Sequence, residues 1–367
     1  MNIGAPGAHE GGRRIALAFD TVPDQNRRVI WLGLVIALAA PPAAVGSGLT
    51  LIEGIRVGHH TLSQRPTGCT VVLTEGGAVA GVDVRGSAPG SREVALLAPV
   101  NTVERVHAVV LSGGSAFGLD SASGVVRYLE DRDIGLDVGI AKVPIVPAAI
   151  LFDLGVGGKP DVRPGADCGF QAARAATSGV IAQGNVGVGA GATVGKSSGP
   201  GRAMKGGIGT AAIELPNGLV VAALIAVNAL GDVIDPATGE LIAGVRDENG
   251  SGLADVRKLL RSGALVQDGL GRNTTIGVVA TNARLTKTQA TKIAQMAHDG
   301  LARAIVPAHT PSDGDMLFAL ALGNWKGDAR ISTVGALAAE AVSAAILSAI
   351  ANAEGIPGFP AASDINP

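Results

Sequence analysis

Few residues able to do covalent chemistry stand out in this 367-residue chain, and they lie far apart. Thr274-Thr275 opens an apolar run within Gly-Arg-Asn-Thr-Thr-Ile-Gly-Val-Val-Ala-Thr-Asn-Ala-Arg-Leu (271–285). A threonine hydroxyl by itself is a weak nucleophile. At a new N-terminus it would carry its own base, an α-amine with a pKa of ~8. A chain that cut itself before Thr274 would therefore be equipped as an amide hydrolase; the plain alternative is a strand start, where threonine is favoured anyway. Asp313-Gly-Asp315, between Pro307-Ala-His-Thr-Pro-Ser312 and the apolar Met316–Leu322, sets two carboxylates two residues apart at a loop-to-strand junction. Such a pair can bind a cation, act as acid and base, anchor an ammonium group, or simply form a solvated Asp-Gly turn. Lys196, in a segment rich in Gly, Ala and Val, calls for a nearby carboxylate if its ammonium is buried.

Other chemistries fit less well. Ala190-Gly-Ala-Thr-Val-Gly-Lys196-Ser197 has the outline of a phosphate-binding loop but begins with Ala190 where glycine is required, and the next apolar run ends in Asn228 rather than a magnesium-binding Asp. Gly113-Gly-Ser115-Ala-Phe117-Gly118 lacks the glycine two residues after the serine that a nucleophile elbow needs, so Ser115 reads as a turn or cap residue able to line a pocket. The six histidines form no zinc-ligand spacing, and neither a metal nor a cofactor is expected. A charged fraction of 16% and a net charge of −2 leave no footprint for nucleic acid or an anionic membrane. Cys69 and Cys168, far apart in sequence, suggest neither a disulfide framework nor a redox pair, so a reducing, cytoplasmic setting is the default.

These residues must be held by a layered body. The 47% hydrophobic fraction suffices for a large core, and with 2% aromatics and 54 glycines the packing must rely on aliphatic side chains against close backbone. From about residue 50, β-branched runs alternate with Ala-rich stretches of helical period. Strands are predicted at 51–57, 70–73, 79–84, 106–111, 208–213, 219–227 and 275–281, and helices at 117–130, 167–177, 286–305 and 334–353. Thr286-Lys-Thr-Gln289 is a capping box, followed by Ile293, Met296, Ala297 and Leu301 on one face. Residues 239–273 turn polar and read as an exposed connector with a short amphipathic piece at 253–260. Ahead of the body, residues 1–50 form an extension. Within it, Arg27-Arg28, the apolar Val29–Ala40 and small residues to Ala44 resemble a signal segment, too short to span a bilayer. A cytoplasmic protein with an extended start and an exported one both remain open.

Taken in order, Gly54-Ile-Arg-Val-Gly58, Gly113–Gly118, Pro144-Ile-Val-Pro-Ala-Ala-Ile150, Gly187-Val-Gly-Ala-Gly191 with Lys196, Lys205-Gly-Gly-Ile-Gly-Thr210, Val227-Asn228-Ala229, Asn273-Thr-Thr-Ile276 and His309-Thr-Pro-Ser-Asp-Gly-Asp315 resemble the DmpA-type aminopeptidase and nylon-oligomer hydrolase family. The resemblance covers about 51–353. It implies an α+β fold, a four-layer α-β-β-α sandwich shared with ornithine acetyltransferases, in homo-oligomers of four or more copies. It also implies self-cleavage between Asn273 and Thr274, with Thr274 as nucleophile toward small peptides or amides, and with Lys196, Asn228, Asp313 and Asp315 around it. In that scheme Asn228 donates to the oxyanion, Lys196 keeps the α-amine neutral, and the two aspartates hold Lys196 and the amine or bind the substrate's ammonium group. Ser115 and Phe152 fall on the substrate wall; Phe152 stands where several members carry a tyrosine hydroxyl. A 6-aminohexanoate-type oligomer hydrolase and an acyltransferase are the alternatives implied.

Overall fold

In the computed structural model, residues 48–263 and 273–365 are described. Their Val-, Ile- and Ala-rich runs build one nine-stranded mixed sheet. Its strands are β1 (Arg56–Thr61), β2 (Gly68–Val84), β3 (Ser91–Arg92), β4 (Arg105–Ser112), β5 (Ala148–Ile150), β6 (Gly207–Glu214), β7 (Val220–Asn228), β8 (Thr274–Thr281) and β9 (Met316–Ala321). The order is β6-β7-β8-β9-β2-β4-β5-β3, with β1 on β2. Four longer helices cover it: α1 (Ser121–Glu130), α2 (Ala166–Arg174), α3 (Lys287–Ala304) and α4 (Ile331–Ala351).

Three apolar cores define the layers. On β7, Val221, Ala223, Ile225 and Val227 face one core, and Ala222, Leu224 and Ala226 face another. Both faces being covered explains why the strand reads as an unbroken apolar run rather than an alternating one. The first core is closed by α3 and α4 through Ala297, Leu301, Val342 and Ile346. In the second, Ile276, Val278 and Phe318 meet Val72, Val109, Leu111 and Ala149, so the β6–β9 half packs face to face on the β2–β4–β5 half. The third joins Val71, Leu73, Ala108 and Val110 to Val125 and Leu129 of α1 and Ala172 and Ala173 of α2. The result is the α-β-β-α sandwich implied by the resemblance. Small residues allow the close approach of helix to sheet: a Cβ on Gly81 would lie 2.2 Å from the Thr291 nitrogen, and one on Gly209 2.2 Å from the Ala349 nitrogen.

Several local expectations need correction. The runs at 70–73 and 79–84 are one strand, β2, whose register with β4 shifts between Leu73 and Ala78 as it passes from one half of the sheet to the other. The strand placed at 51–57 is instead a 3-10 turn at Gly48–Leu51 followed by β1 from Arg56, with Leu49, Ile52 and Ile55 buried at intervals of three. Cys69 at the start of β2 and Cys168 in α2 are joined as a disulfide, with Cα atoms 6.2 Å apart. The packing of α2 on β1 and β2 supplies the proximity that their separation in sequence hides. The capping box at Thr286 and Gln289 is present. Helix α4 is long and apolar enough to cross a membrane, yet most of it is buried against the sheet as a core helix. The signal-like run and residues 264–272 of the connector lie outside the described residues; before them, a short helix spans Val256–Arg261.

Candidate active site

Sheet topology gathers the candidate residues at one edge. Strands β8 and β9 are parallel, so their N-terminal ends coincide, and Asn273 forms a parallel bridge with Asp313. Strand β7 runs antiparallel to β8, which brings its last residue, Asn228, opposite Thr274. Asn228 is 0% exposed, and Thr274, Asp313 and Asp315 are each 2% exposed. Water is largely excluded from the group, so its charges and dipoles act at short range with little screening.

The carbonyl before the candidate nucleophile is tightly held. Asn273 O accepts from Gly314 N at 2.9 Å and also from the Thr274 hydroxyl. Asn228 is oriented without ambiguity. Its Oδ1 accepts from Lys196 Nζ at 2.9 Å and from Thr193 N at 3.0 Å, and since both partners only donate, the amide nitrogen must point the other way. Nδ2 donates to Phe152 O at 3.1 Å, and its second hydrogen has no partner among the described residues. Lys196 Nζ also donates to Asn228 O at 2.9 Å.

The two aspartates differ in their bonding. Asp315 is engaged at both oxygens: Oδ1 accepts from Thr275 N at 2.7 Å, and Oδ2 accepts from His309 N at 3.0 Å and meets His309 Nδ1 at 2.9 Å. Asp313 Oδ2 accepts from Thr310 N at 2.8 Å, while Oδ1 is buried without a partner among the described residues. Burial, reinforced by the neighbouring Asp315 charge, pushes the Asp313 carboxyl up to about 6 against the pull of its bonds to Thr310 and of Lys196. Asp313 is thus the carboxyl with an oxygen available to exchange a proton near neutrality. Burial brings Lys196 down to about 7, opposed by Asp313, Asp315 and Asp153. That sets a half-buried lysine beside a buried carboxyl and a buried hydroxyl, groups that acid–base and nucleophilic catalysis can use.

Buried polar groups around this cluster hold it in place. Lys205 is fully buried, and its ammonium donates to the carbonyls of Gly189, Ala192 and Gly206 at 2.8, 3.0 and 2.8 Å. Lys205 pairs with Thr193 across a two-residue ribbon, and so steadies the segment that carries Thr193 and Lys196. Asp153 binds Arg65 at 2.9 Å, the Thr67 hydroxyl at 2.6 Å and Gly114 N at 2.9 Å. That network fixes the wall on which Phe152 and Ser115 lie: Ser115, at a left-handed φ of 55°, donates its N–H to Leu151 O at 3.0 Å. Phe152 contributes its carbonyl to Asn228, and its half-buried ring brings no hydroxyl. Sequence reasoning did not single out His309, Gly314, Thr193, Lys205 or Asp153 as site residues. The first two lie in or beside the Asp313-Gly-Asp315 signal, and Asp153 directly follows Phe152. The segment around Lys196 passes through a short strand rather than opening a helix, unlike a phosphate-binding loop. Among the described residues, no group of three or more His, Cys, Asp or Glu is placed to hold a metal ion.

The layering and the polar sheet edge fit a hydrolase of the aminopeptidase and amidase kind. The chain belongs to peptidase family S58, whose profile matches residues 48–363. An uncharacterized aminopeptidase of Mycobacterium tuberculosis is 42% identical over 350 residues, covering 88% of this chain and 98% of the relative. A 6-aminohexanoate-oligomer endohydrolase of Agromyces is 28% identical over 292 residues, covering 77% of each. Among solved structures, an L-aminopeptidase D-Ala-esterase/amidase from Ochrobactrum anthropi, a variant of the Ntn hydrolase fold, matches with a TM-score of 0.62 at 19% identity over 85% of this chain and 89% of that one. A Burkholderia β-aminopeptidase matches with a TM-score of 0.58 at 24% identity over 84% and 87%.

Proposed function

We propose that the chain is a self-processing aminopeptidase in which Thr274, freed as an N-terminal residue, attacks small peptides or amino-acid amides. In the precursor, Thr274 Oγ adds to the Asn273 carbonyl carbon and its proton passes to the Thr274 nitrogen as the C–N bond breaks. Water then hydrolyses the ester, leaving the Asn273 carboxylate and a free Thr274 α-amine. In turnover that amine takes the hydroxyl proton and delivers it to the leaving amine, and a second water releases the acyl group. The second Nδ2 hydrogen of Asn228 serves the oxyanion. While it is protonated, Lys196 biases the amine toward its neutral form by like-charge repulsion. Asp315 acts as a clamp, and Asp313 exchanges protons or meets the substrate ammonium.

The observation that carries this reading is the Asn273 carbonyl, bonded at once to the Thr274 hydroxyl and to Gly314 N–H. The nucleophile is already beside the bond it would cut, and a backbone donor is already on the oxygen that would take the charge. A 6-aminohexanoate-type substrate is the second reading, favoured by the similarity to an oligomer endohydrolase over 77% of the chain. A denaturing gel of purified protein should show two fragments, the smaller beginning Thr-Thr-Ile-Gly, and Thr274→Ala should lose both cleavage and hydrolysis. A single full-length band from folded, incubated protein, or hydrolysis retained in Thr274→Ala, would overturn the proposal.

A further inference from the structure

We infer that His309 is a positioning residue of this site, acting through Asp315 and the Thr275 amide on Thr274. The inference rests on the reading of Thr274 as nucleophile and adds a residue to which nothing above gave a task.

The geometry is a continuous line of hydrogen bonds. His309 meets Asp315 Oδ2 twice, through its backbone N at 3.0 Å and through Nδ1 at 2.9 Å. The opposite oxygen, Oδ1, accepts from Thr275 N at 2.7 Å. Thr275 is the residue after the nucleophile, so the Asp315 carboxylate holds the start of strand β8 and His309 holds the carboxylate. Asp315 is buried, and a buried carboxylate without donors is costly. A carboxylate accepts only, which puts a hydrogen on Nδ1.

The double contact requires an unusual backbone. His309 adopts φ 58°, the left-handed region that non-glycine residues seldom occupy. That conformation turns ring and amide toward the same oxygen, and strain of this kind persists only where the surroundings enforce it. The surroundings include His298, whose ring packs edge-on with centroids 4.8 Å apart and whose Nε2 bonds Asp83 O at 3.1 Å. The ring of His309 is thereby fixed with Nδ1 on Asp315, while Nε2 is buried without a partner among the described residues. Nδ1, the bonded atom, is therefore the one through which the ring acts.

Asparagine and aspartate at 309 separate the donor from the shape. Both tolerate the left-handed region, and the Asn Nδ2 occupies the place of His Nδ1, whereas the Asp side chain sets an oxygen against Asp315. His309→Asn should process itself and turn over alanine p-nitroanilide within about threefold of wild type, whereas His309→Asp should lose about a hundredfold in kcat per processed enzyme, as expected for a misplaced nucleophile. KM should change by less than about threefold in either variant, because a positioning group acts on the chemical step rather than on uniform binding. If His309→Asp does not fold, His309→Ala replaces it, with about a tenfold loss in kcat expected from the missing donor alone. Wild-type kcat in His309→Asp or His309→Ala would overturn the inference, as would an equal loss in His309→Asn. Thr274→Ala, run in parallel, separates the two ideas. If it is inactive while His309→Ala is unimpaired, only the role of His309 falls; if it is active, the nucleophile assignment falls first.

Discussion

Gly314 has no room for a side chain, and that makes it the sharpest probe of the proposed chemistry. A methyl on its Cα would lie 2.7 Å from Ala88 O and 2.9 Å from Thr274 Oγ1, where ordinary contact begins at 3.4 Å. Ala88 is held in place, since its N–H donates to Asp313 O at 2.8 Å, and Thr274 is fixed in β8. The displacement therefore falls on Gly314, and relieving both contacts takes about 0.5–0.7 Å, the scale on which reacting groups lose alignment. The same movement weakens the 2.9 Å bond from Gly314 N to Asn273 O. Overpacking of this kind costs about 1–3 kcal/mol of stability, which the fold should survive. The loss of an aligned oxyanion donor should lower self-processing by about 10²–10³-fold. Gly314→Ala would be followed by the time course of the two fragments on denaturing gels, with a thermal melt alongside. A variant that melts lower yet processes at the wild-type rate would refute the role given to the Gly314 amide.

The pH dependence of stability follows from buried charges. Burial holds Lys196 and Lys205 at about 7 in the fold against 10.5. Between those values the unfolded chain binds the extra protons, so stability should rise from pH 7 to about pH 9. At lower pH, Asp232 and Asp313, raised to about 6, oppose His59 and His298, lowered to about 4, leaving the lysine window uncancelled. Melting temperatures of uncleaved Thr274→Ala should show the rise, and adding Lys205→Met should remove about half of it, Lys196 supplying the rest; a level or falling trend in the parent would contradict the lysine assignment. Asn228→Asp keeps the acceptor for Lys196 and Thr193 but sets an oxygen toward Phe152 O, and kcat should fall by about 10²–10³-fold in a folded protein. Steady-state kinetics within about tenfold of wild type would remove Asn228 from the oxyanion. The Cys69–Cys168 link, spanning a separation of 99 residues, should be worth about 4–5 kcal/mol. An unreduced peptide map should contain the linked pair and reduction should lower the melting temperature; free thiols in the native protein would refute the pairing.

How much of this was legible depended on whether the signal was local. Helix α3 was readable because its cap and its apolar face lie within consecutive turns. Strand β7 is readable because burial on both faces makes it an almost unbroken apolar run, and β8 because residues 276–280 carry β-branched side chains between threonines. The stretch at 51–57 was misread because Leu49, Ile52 and Ile55 are spaced by three, a turn period, among residues of high strand propensity. Strand β2 was divided in two because Glu75-Gly76-Gly77 resembles a turn, whereas here it lies within the strand at the register shift. The disulfide was missed because a separation of 99 residues says nothing about distance once a helix folds back on a strand. The candidate site became legible only through the order of motifs, since Lys196, Asn228, Thr274 and Asp313 meet by strand direction and not by spacing.

What no motif conveys is that the main chain does most of the orienting. Asn273 O is met by Gly314 N, Asn228 Oδ1 by Thr193 N, Asp313 Oδ2 by Thr310 N, and the two oxygens of Asp315 by Thr275 N and His309 N. Dipoles fixed in this way need no reorganisation as charge develops, and a side-chain change reaches them only by moving the backbone, as at Gly314. A change of substrate that spares the chemistry therefore has mainly the wall to work on. There Phe152 offers a carbonyl and a ring without a hydroxyl. Replacing Phe152 by tyrosine adds one donor to that wall and leaves the backbone set untouched, so its effect should appear as a change in preference among amides while self-processing continues.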